Sequence, residues 1–181
     1  MKETETQTKK IQKMDIRPWE TKDFGNISII IEEKELRTHR DLLKIWSKYF
    51  KAMFENGMKE SNESKINLEG DSFKDFSLVL ALLYEPLKYK LFDNNVITVL
   101  RISDKYQFDQ LKEHCESYLL KCKLNWEMSI ELQKYPISNE LRKVCNYWIL
   151  SNIKILILRD DFNLLDKKLI ILLFRSFLKN L

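Results

Sequence analysis

The chain has 181 residues, of which 44% are hydrophobic, enough for the core of one compact domain with at most a small appendage. Lysine and arginine together number 31 against 27 aspartate and glutamate residues, and the two signs alternate along the chain. This distribution argues against a specific nucleic-acid-binding protein, because such proteins usually concentrate basic residues on one face.

The compartment is predicted from the cysteines and from the apolar stretches. Three cysteines without a C-x-x-C spacing favour a reducing compartment over a disulfide framework. Residues 1–16 are polar, lack the apolar region of a signal peptide, and are expected to form a disordered tail. The apolar stretches 148–158 and 169–174 are each too short to span a bilayer. We therefore expect a soluble cytoplasmic and/or nuclear protein without a membrane segment.

Three strands are predicted in the first part of the chain. Residues 27–31 are rich in β-branched side chains and bounded by turn formers, which is typical of a buried strand. The charged residues 32–34 would close a hairpin into a second strand at 35–38. A third, short strand is predicted at residues 65–68.

Helices are predicted from apolar residues at helical spacing and from the capping residues in front of them. Residues 42–46 mark a first helix, and Ser47 caps a second, which ends at Asn56-Gly57. Ser72, with Asp75 three residues later, forms a capping box before a third. Further helices are predicted to follow these capping residues: Asn94 or Asn95, Asn125, Ser138 and Asp166.

The order of these elements indicates the fold class. Strands come first and a long run of helices follows, which favours an α+β domain with helices covering one small three-stranded sheet. The last helices would form an all-α extension. No internal repeat is visible, so a solenoid is not expected.

An ordered series of motifs across residues 26–120 resembles the BTB/POZ domain family, closest in character to the BTB portion of nematode-type MATH-BTB proteins. The series runs, after the hairpin, through His39-Arg40-x-Leu42-Leu43, Ser47-x-Tyr49-Phe50-x-Ala52-Met53-Phe54, Met58-Lys59-Glu60-Ser61, Ile66-x-Leu68, Phe76, Leu83-Tyr84, Ser103-Asp104-Lys105-Tyr106, Leu111 and Cys115-Glu116. Any one of these matches would be weak, but the whole ordered series is specific. The resemblance implies the BTB/POZ fold.

The resemblance also divides the chain. Residues 125–178 resemble the 3-box, or the first part of a BACK domain, through helix spacing together with Leu141-x-x-x-Cys145 and Phe162-x-x-Leu165. We therefore predict a tail at 1–16, a BTB/POZ domain at 17–121 and a 3-box/BACK-like helical extension at 122–181.

The function implied by the resemblance is protein–protein interaction, as a substrate adaptor for a cullin-3 RING ubiquitin ligase. Met58 and Glu60 match the family's hydrophobic-x-Glu signature, in which the apolar side chain fills a pocket on the cullin-3 N-terminal domain beside an anchoring carboxylate. The alternative for this segment is a solvated loop. Phe54 and Tyr106 would border the same surface, with core packing as the favoured role of Phe54.

The alternative function is a homo- or hetero-oligomerisation scaffold without cullin binding. Leu42 and Trp46 lie on the first predicted helix, where BTB dimers usually meet, and with Ile45 they share one helical face. This face is either a dimer interface or core. Residues 16–22 lack the helical apolar spacing found ahead of the first strand in many dimeric members. A third class, the tetramerising potassium-channel type, is disfavoured by the C-terminal helices.

No catalytic residue, metal site or cofactor is predicted. The chain has only three glycines and none of the phosphate-binding or hydrolase motifs. His114, Cys115 and Cys122 lack the four ligands at paired spacing of a structural zinc site. His39 is interpreted as a structural residue near the end of the second strand. Cys115 and Cys145 occupy apolar helix positions, where thiols are inert.

Overall fold

The computed structural model of the protein describes residues 17–55, 63–156, 158, 167, 170 and 171. Three strands, β1 (Ile27–Ile31), β2 (Lys34–Thr38) and β3 (Lys65–Asn67), form a sheet in the order β2-β1-β3. A 3-10 turn at Pro18–Glu20 precedes the sheet. The α-helices of the described residues are α1 (Arg40–Trp46), α2 (Lys48–Glu55), α3 (Phe73–Tyr84), α4 (Val96–Lys105), α5 (Asp109–Leu119), α6 (Trp126–Leu132), α7 (Asn139–Ser151) and α8 (Ile153–Leu156).

This arrangement confirms the predicted α+β class. The central strand β1 pairs antiparallel with β2 and parallel with β3. A parallel pair requires a crossover, and α1 and α2 lie in the connection that leads from β2 to β3. Ile27, Ile29 and Ile31 of β1 are at most 1% exposed, so helices cover the sheet and the core lies between them.

The predicted hairpin is present, with its second strand starting one residue earlier than expected, at Lys34. Its two turn residues, Glu32 and Glu33, have φ angles of +52° and +60°. Two consecutive residues with positive φ are the requirement of a type I′ turn, whose twist matches that of the flanking strands. The chain accepts this conformation at two glutamates rather than at the usual asparagine and glycine.

Most of the predicted helix caps are confirmed. The side-chain oxygens of Ser47, Ser72, Asn125 and Ser138 each accept a backbone N–H in the first turn of α2, α3, α6 and α7. Asn95 holds the N-cap position of α4, as predicted, but its side chain makes no capping hydrogen bond. Its Oδ1 instead accepts the Phe92 N–H at 2.8 Å, in the preceding loop. The predicted helix end at residues 56–57 and the cap at Asp166 lie outside the described residues.

The helices after residue 121 pack directly on the rest of the fold. Side chains from α6, α7 and the loops around them belong to the same hydrophobic cluster as the sheet: Leu124, Met128, Leu132, Ile137, Leu141 and Cys145. The Ser138 N–H also donates to Glu116 Oε1 at 3.1 Å, which joins the start of α7 to α5. The predicted boundary at residues 121–122 is therefore crossed by continuous packing.

Within the ranges that the structure covers, none of the helices has the length and apolar character needed to cross a bilayer.

Candidate interaction surface

The start of α2 is fixed by the side chain of Ser47. Its Oγ accepts the Phe50 N–H at 3.0 Å and donates to the Tyr106 carbonyl oxygen at 2.5 Å. Ser47 is buried, so both bonds are shielded from water. The first bond caps α2, and the second ties it to the end of α4. Together they determine which side of α2 is turned outward.

The outward side of α2 is apolar and accessible. Tyr49, Ala52 and Met53 share one face because they stand at i, i+3 and i+4. Ala52 is exposed and the other two are half-buried, whereas Phe50 and Phe54 point into the core. Tyr49, Ala52 and Met53 are called the α2 face below. The segment 56–62, which contains Met58 and Glu60, follows this helix directly and lies outside the described residues.

A cavity of about 300 Å³ opens beside the α2 face. Tyr49 contributes to both, and its ring packs edge-to-face on Tyr106 with centroids 5.2 Å apart. The other lining side chains come from the end of β3, the loop after it and the end of α4: Asn67, Leu68, Glu69 and Lys105. A cleft whose lining combines aromatic and aliphatic side chains with a lysine and a glutamate suits an amphipathic protein segment.

Asp71, in the loop after β3, holds the end of α4 in place. Its buried carboxylate accepts hydrogen bonds from Arg101 at 3.0 Å, Lys105 Nζ at 2.7 Å and the Tyr106 hydroxyl at 2.5 Å. Burial alone would raise the pKa of this carboxyl, but the bonds from Lys105, Tyr106 and Arg101 outweigh it and hold the pKa below its ordinary value. Burial and the neighbouring carboxylate raise the pKa of Tyr106 well above its ordinary value.

Phe54 and Tyr106 are core side chains. They are 8% and 2% exposed, and Phe50 lies between them, with its ring stacked on both at centroid distances of 6.1 and 5.5 Å. The core role favoured for Phe54 is therefore the one observed. Tyr106 also lines the cavity beside the α2 face.

The face of α1 is partly open. Leu42 and Trp46 are half-buried, and Ile45 between them is 74% exposed. Ile45 and Trp46 line a groove of about 570 Å³ whose other walls are α2 and the start of α5. The groove lining carries both signs of charge, paired as Lys44 with Glu55 at 3.2 Å and Lys48 with Asp109 at 2.5 Å.

Residues 17–20, called the N-terminal strap below, are anchored on α3. The indole of Trp19 is completely buried, and its Nε1–H donates to Ser77 Oγ at 3.0 Å. Arg17 also donates to Ser77 Oγ, which in turn donates to Glu20 Oε1 at 2.6 Å. The sequence patterns did not reveal this anchor, because Trp19 has no periodic apolar neighbours and its partner lies 58 positions along the chain.

Two of the three cysteine thiols, those of Cys115 and Cys145, are buried. Burial raises the pKa of the Cys115 thiol to about 12 and that of Cys145 to about 11, so both remain protonated at neutral pH. His39 Nδ1 lies 2.9 Å from the Tyr84 hydroxyl, at the junction of β2 and α1. In the part of the chain that the structure describes, no three metal-ligating residues come together.

This chain is similar to known proteins of one family. A family model described as the BTB/POZ domain matches residues 17–123. In a solved structure of the BTB domain of human gigaxonin, the likeness covers 51% of this chain and 75% of that chain, with a TM-score of 0.44 and 18% sequence identity.

Curated relatives extend the likeness beyond residue 123. BTB/POZ domain-containing protein 9 of Drosophila melanogaster is 28% identical over 149 residues, which is 80% of this chain and 20% of that protein. Kelch repeat and BTB domain-containing protein A55 of vaccinia virus is 28% identical over 148 residues, 80% of this chain and 26% of the relative. Kelch-like protein 36 of Mus musculus is 29% identical over 96 residues, 53% of this chain and 16% of its own length. The chain thus spans between 16% and 26% of these proteins' length.

Proposed function

The chain belongs to the BTB/POZ domain family, a protein-interaction fold, and on that premise we propose that it is a non-enzymatic adaptor that docks the N-terminal domain of cullin-3. The docking surface consists of the α2 face and the segment that follows it. The role is recruitment by proximity: the chain brings a bound substrate close to the ubiquitin ligase without performing chemistry itself.

The observation that carries this proposal is the accessible apolar side of α2. Ala52 is exposed, and Tyr49 and Met53 are only half-buried against the core, so part of the apolar surface of this helix remains accessible. The capping bonds of Ser47 and the hydrogen bonds of Asp71 hold the two elements beside this face in fixed positions. A preformed apolar site loses little conformational entropy on binding.

Met58 and Glu60 complete the proposed surface. They follow the α2 face in the chain, and their hydrophobic-x-Glu spacing supplies one side chain for an apolar pocket of the partner and one charge beside it. A buried apolar anchor next to an oriented charge is the usual composition of a binding hot spot. Phe54 and Tyr106 contribute from the core, as supports of the α2 face.

The helices after residue 121 are assigned to the adaptor as a 3-box/BACK-like extension. In support, α6 and α7 contribute side chains to the hydrophobic cluster of the preceding domain, so they pack against that domain and do not form an independent unit. From the sequence features given above, we also propose that the chain is similar to nematode-type MATH-BTB proteins and that it is located in the cytoplasm and/or the nucleus.

The proposal is tested by isothermal titration of the chain against the purified cullin-3 N-terminal domain. The wild-type chain is expected to bind with a submicromolar Kd, and Glu60→Lys to weaken binding by about ten-fold or more, equivalent to about 1.4 kcal/mol. Met53→Asp, which places a charge in the α2 face, is expected to have a similar effect.

Glu113→Lys is the matched control, because it makes the same change of charge at an exposed position of α5. Exposed substitutions change stability by about 0.5 kcal/mol or less, so Glu113→Lys is expected to remain folded, and circular dichroism checks that Glu60→Lys and Met53→Asp are folded as well. A folded wild-type chain that does not bind, or a Glu113→Lys variant that loses as much affinity as Glu60→Lys, would contradict the adaptor role.

The α1 face supports a second candidate function, assembly with another copy or with a related BTB chain. Ile45, which is 74% exposed, and the half-buried Trp46 lie side by side in the lining of the groove and give it an apolar contact area. Leu42 and Trp46 would form the centre of this interface and Ile45 its most accessible contact. This function is compatible with cullin docking, because α2 turns a different set of residues outward.

Sedimentation equilibrium tests the assembly function. The wild-type chain is expected to self-associate, and Ile45→Asp, a change at a mostly exposed position, to leave a folded monomer. Trp46→Ala should weaken association as well. A wild-type chain that stays monomeric throughout the micromolar range, alone and with a related BTB chain, would remove this candidate.

A further inference from the structure

Tyr84, the last residue of α3, lies between the N-terminal strap and the α1 face. Its ring stacks on Trp19 of the strap, with centroids 5.9 Å apart and an interplanar angle of 13°. The same ring meets Trp46 of α1 edge-to-face at 5.1 Å and 87°. Phe24 packs on it at 5.0 Å. One tyrosine therefore connects a buried tryptophan to a tryptophan that lines the surface groove.

The hydroxyl of Tyr84 is fixed as firmly as its ring. It accepts the backbone N–H of His39 at 3.1 Å and lies 2.8 Å from Thr38 Oγ1 and 2.9 Å from His39 Nδ1. These partners form the junction between β2 and α1. Because the ring and the hydroxyl are held from different sides, Tyr84 has little freedom to change its rotamer, and the groups that pack on it are held in turn.

Trp46 needs such support because of its position. It is the last residue of α1, and the chain leaves the helix at Ser47 in an extended conformation. Its half-buried ring borders the groove beside the exposed Ile45. An aromatic side chain that is already held in its bound orientation loses less entropy when a partner covers it.

We propose that Tyr84 is a positioning residue for the α1 face: it holds Trp46 in the orientation that a second copy of the chain binds, and it makes this orientation depend on the docked N-terminal strap. The inference rests on the proposed assembly through α1. It assigns a role to a residue that is remote from the face in sequence, and it links Trp19, anchored by Ser77, to self-association.

A double-mutant cycle measured by sedimentation equilibrium tests the proposal. Tyr84→Leu removes the ring and is expected to raise the Kd of self-association by about ten-fold. Tyr84→Phe keeps the ring and is expected to retain most of the affinity. In the Trp46→Ala background, Tyr84→Leu should have no further effect, because it acts through Trp46. Trp19→Leu should follow the same pattern as Tyr84→Leu.

Two controls separate positioning from general loss of stability. Val99→Ala, a cavity in the buried face of α4, should lower the melting temperature without weakening association. Fluorine NMR of the chain labelled with 5-fluorotryptophan reports on Trp46, whose signal is assigned with Trp46→Phe. The chemical shift of this signal should change in Tyr84→Leu and stay nearly the same in Tyr84→Phe and Val99→Ala.

Different outcomes overturn different parts. A wild-type chain that does not self-associate overturns both the assembly function and this inference. If the wild-type chain self-associates, two results would overturn the positioning role alone. In the first, Tyr84→Leu associates as tightly as the wild type. In the second, Tyr84→Leu weakens association by the same factor in the presence and in the absence of Trp46. A Val99→Ala variant that weakens association as much as Tyr84→Leu overturns it too.

Discussion

Asp71 brings together donors from two turns of α4 and from Tyr106, and its carboxylate is shielded from water on all sides. Its pKa is depressed in the folded protein, so its charged form stabilises the fold. This contribution is fully present above the ordinary carboxyl pKa of 3.8 and disappears as the pH falls through the depressed value.

Asp71→Asn should therefore lower the free energy of unfolding at pH 7 by about 2 kcal/mol, the size of hydrogen bonds to a buried charged group. Because the wild-type side chain becomes protonated in acid, the difference should shrink when the pH is lowered below 3.8. Urea denaturation at pH 7 and at acid pH measures it, with the exposed Asp23→Asn as control. If Asp71→Asn lowered the free energy of unfolding by the same amount at both pH values, the assignment of a charged Asp71 carboxylate would be contradicted.

Ser47 has two buried partners where an ordinary helix cap has one. Ser47→Ala should lower the free energy of unfolding by about 2 kcal/mol, since it removes a cap and leaves the buried Tyr106 carbonyl without its hydroxyl donor. Ser138→Ala, at an exposed cap whose bond is 3.4 Å long, should cost about 0.5–1 kcal/mol. Chemical denaturation of both variants compares them, and equal losses would show that the bond to Tyr106 contributes nothing.

Individual residues were predicted well where their partners are close in sequence. The caps at Ser72, Asn125 and Ser138 need only the amide three positions on, so a short sequence window contains the whole interaction. The partners of Asp71 and Trp19 lie 30 to 58 positions away, and one sequence cannot show which distant side chains the fold brings together. For the same reason, Tyr106 could be placed near the proposed site but not inside the core.

Among the secondary-structure elements, the hairpin and most of the helices were predicted because strand alternation and helical spacing are local signals. The sheet order was not, since the parallel pairing of β1 with β3 depends on how α1 and α2 pack. Asn95 illustrates a competing local interaction: its side chain bonds back to the loop at Phe92 and Lys90 instead of capping α4. The division at residues 121–122 followed sequence resemblance, which carries no information on packing.

The packing of α6 and α7 makes a prediction for truncation. Removing residues 122–181 would strip six buried side chains from the core cluster, of which each Leu, Ile or Met is worth about 1.5–3 kcal/mol when fully buried. The shortened chain should melt at least about 10 °C below the full chain in thermal denaturation followed by circular dichroism. An unchanged melting temperature would show that residues 17–121 are a self-sufficient unit.

At the scale of the whole molecule, the α1 face and the α2 face both pack on the main hydrophobic cluster of the described residues. The α2 face lies beside Asp71 and its hydrogen-bond donors. The α1 face lies beside the aromatic side chains that pack on the N-terminal strap. Ser47 joins α1 to α2 and fixes the start of α2. Two partners, one bound to each helix, would therefore be held in a fixed arrangement relative to each other. A domain of this kind can join two proteins at fixed geometry, which is what recruitment by proximity requires.

The central claim is that the α2 face and the segment after it dock the partner. Hydrogen–deuterium exchange of the chain, alone and saturated with the cullin-3 N-terminal domain, measures this most directly. We expect slower exchange in peptides covering residues 48–62, with α7 unchanged. Binding accompanied by unchanged exchange in residues 48–62, or by protection confined to α7, would contradict the claim.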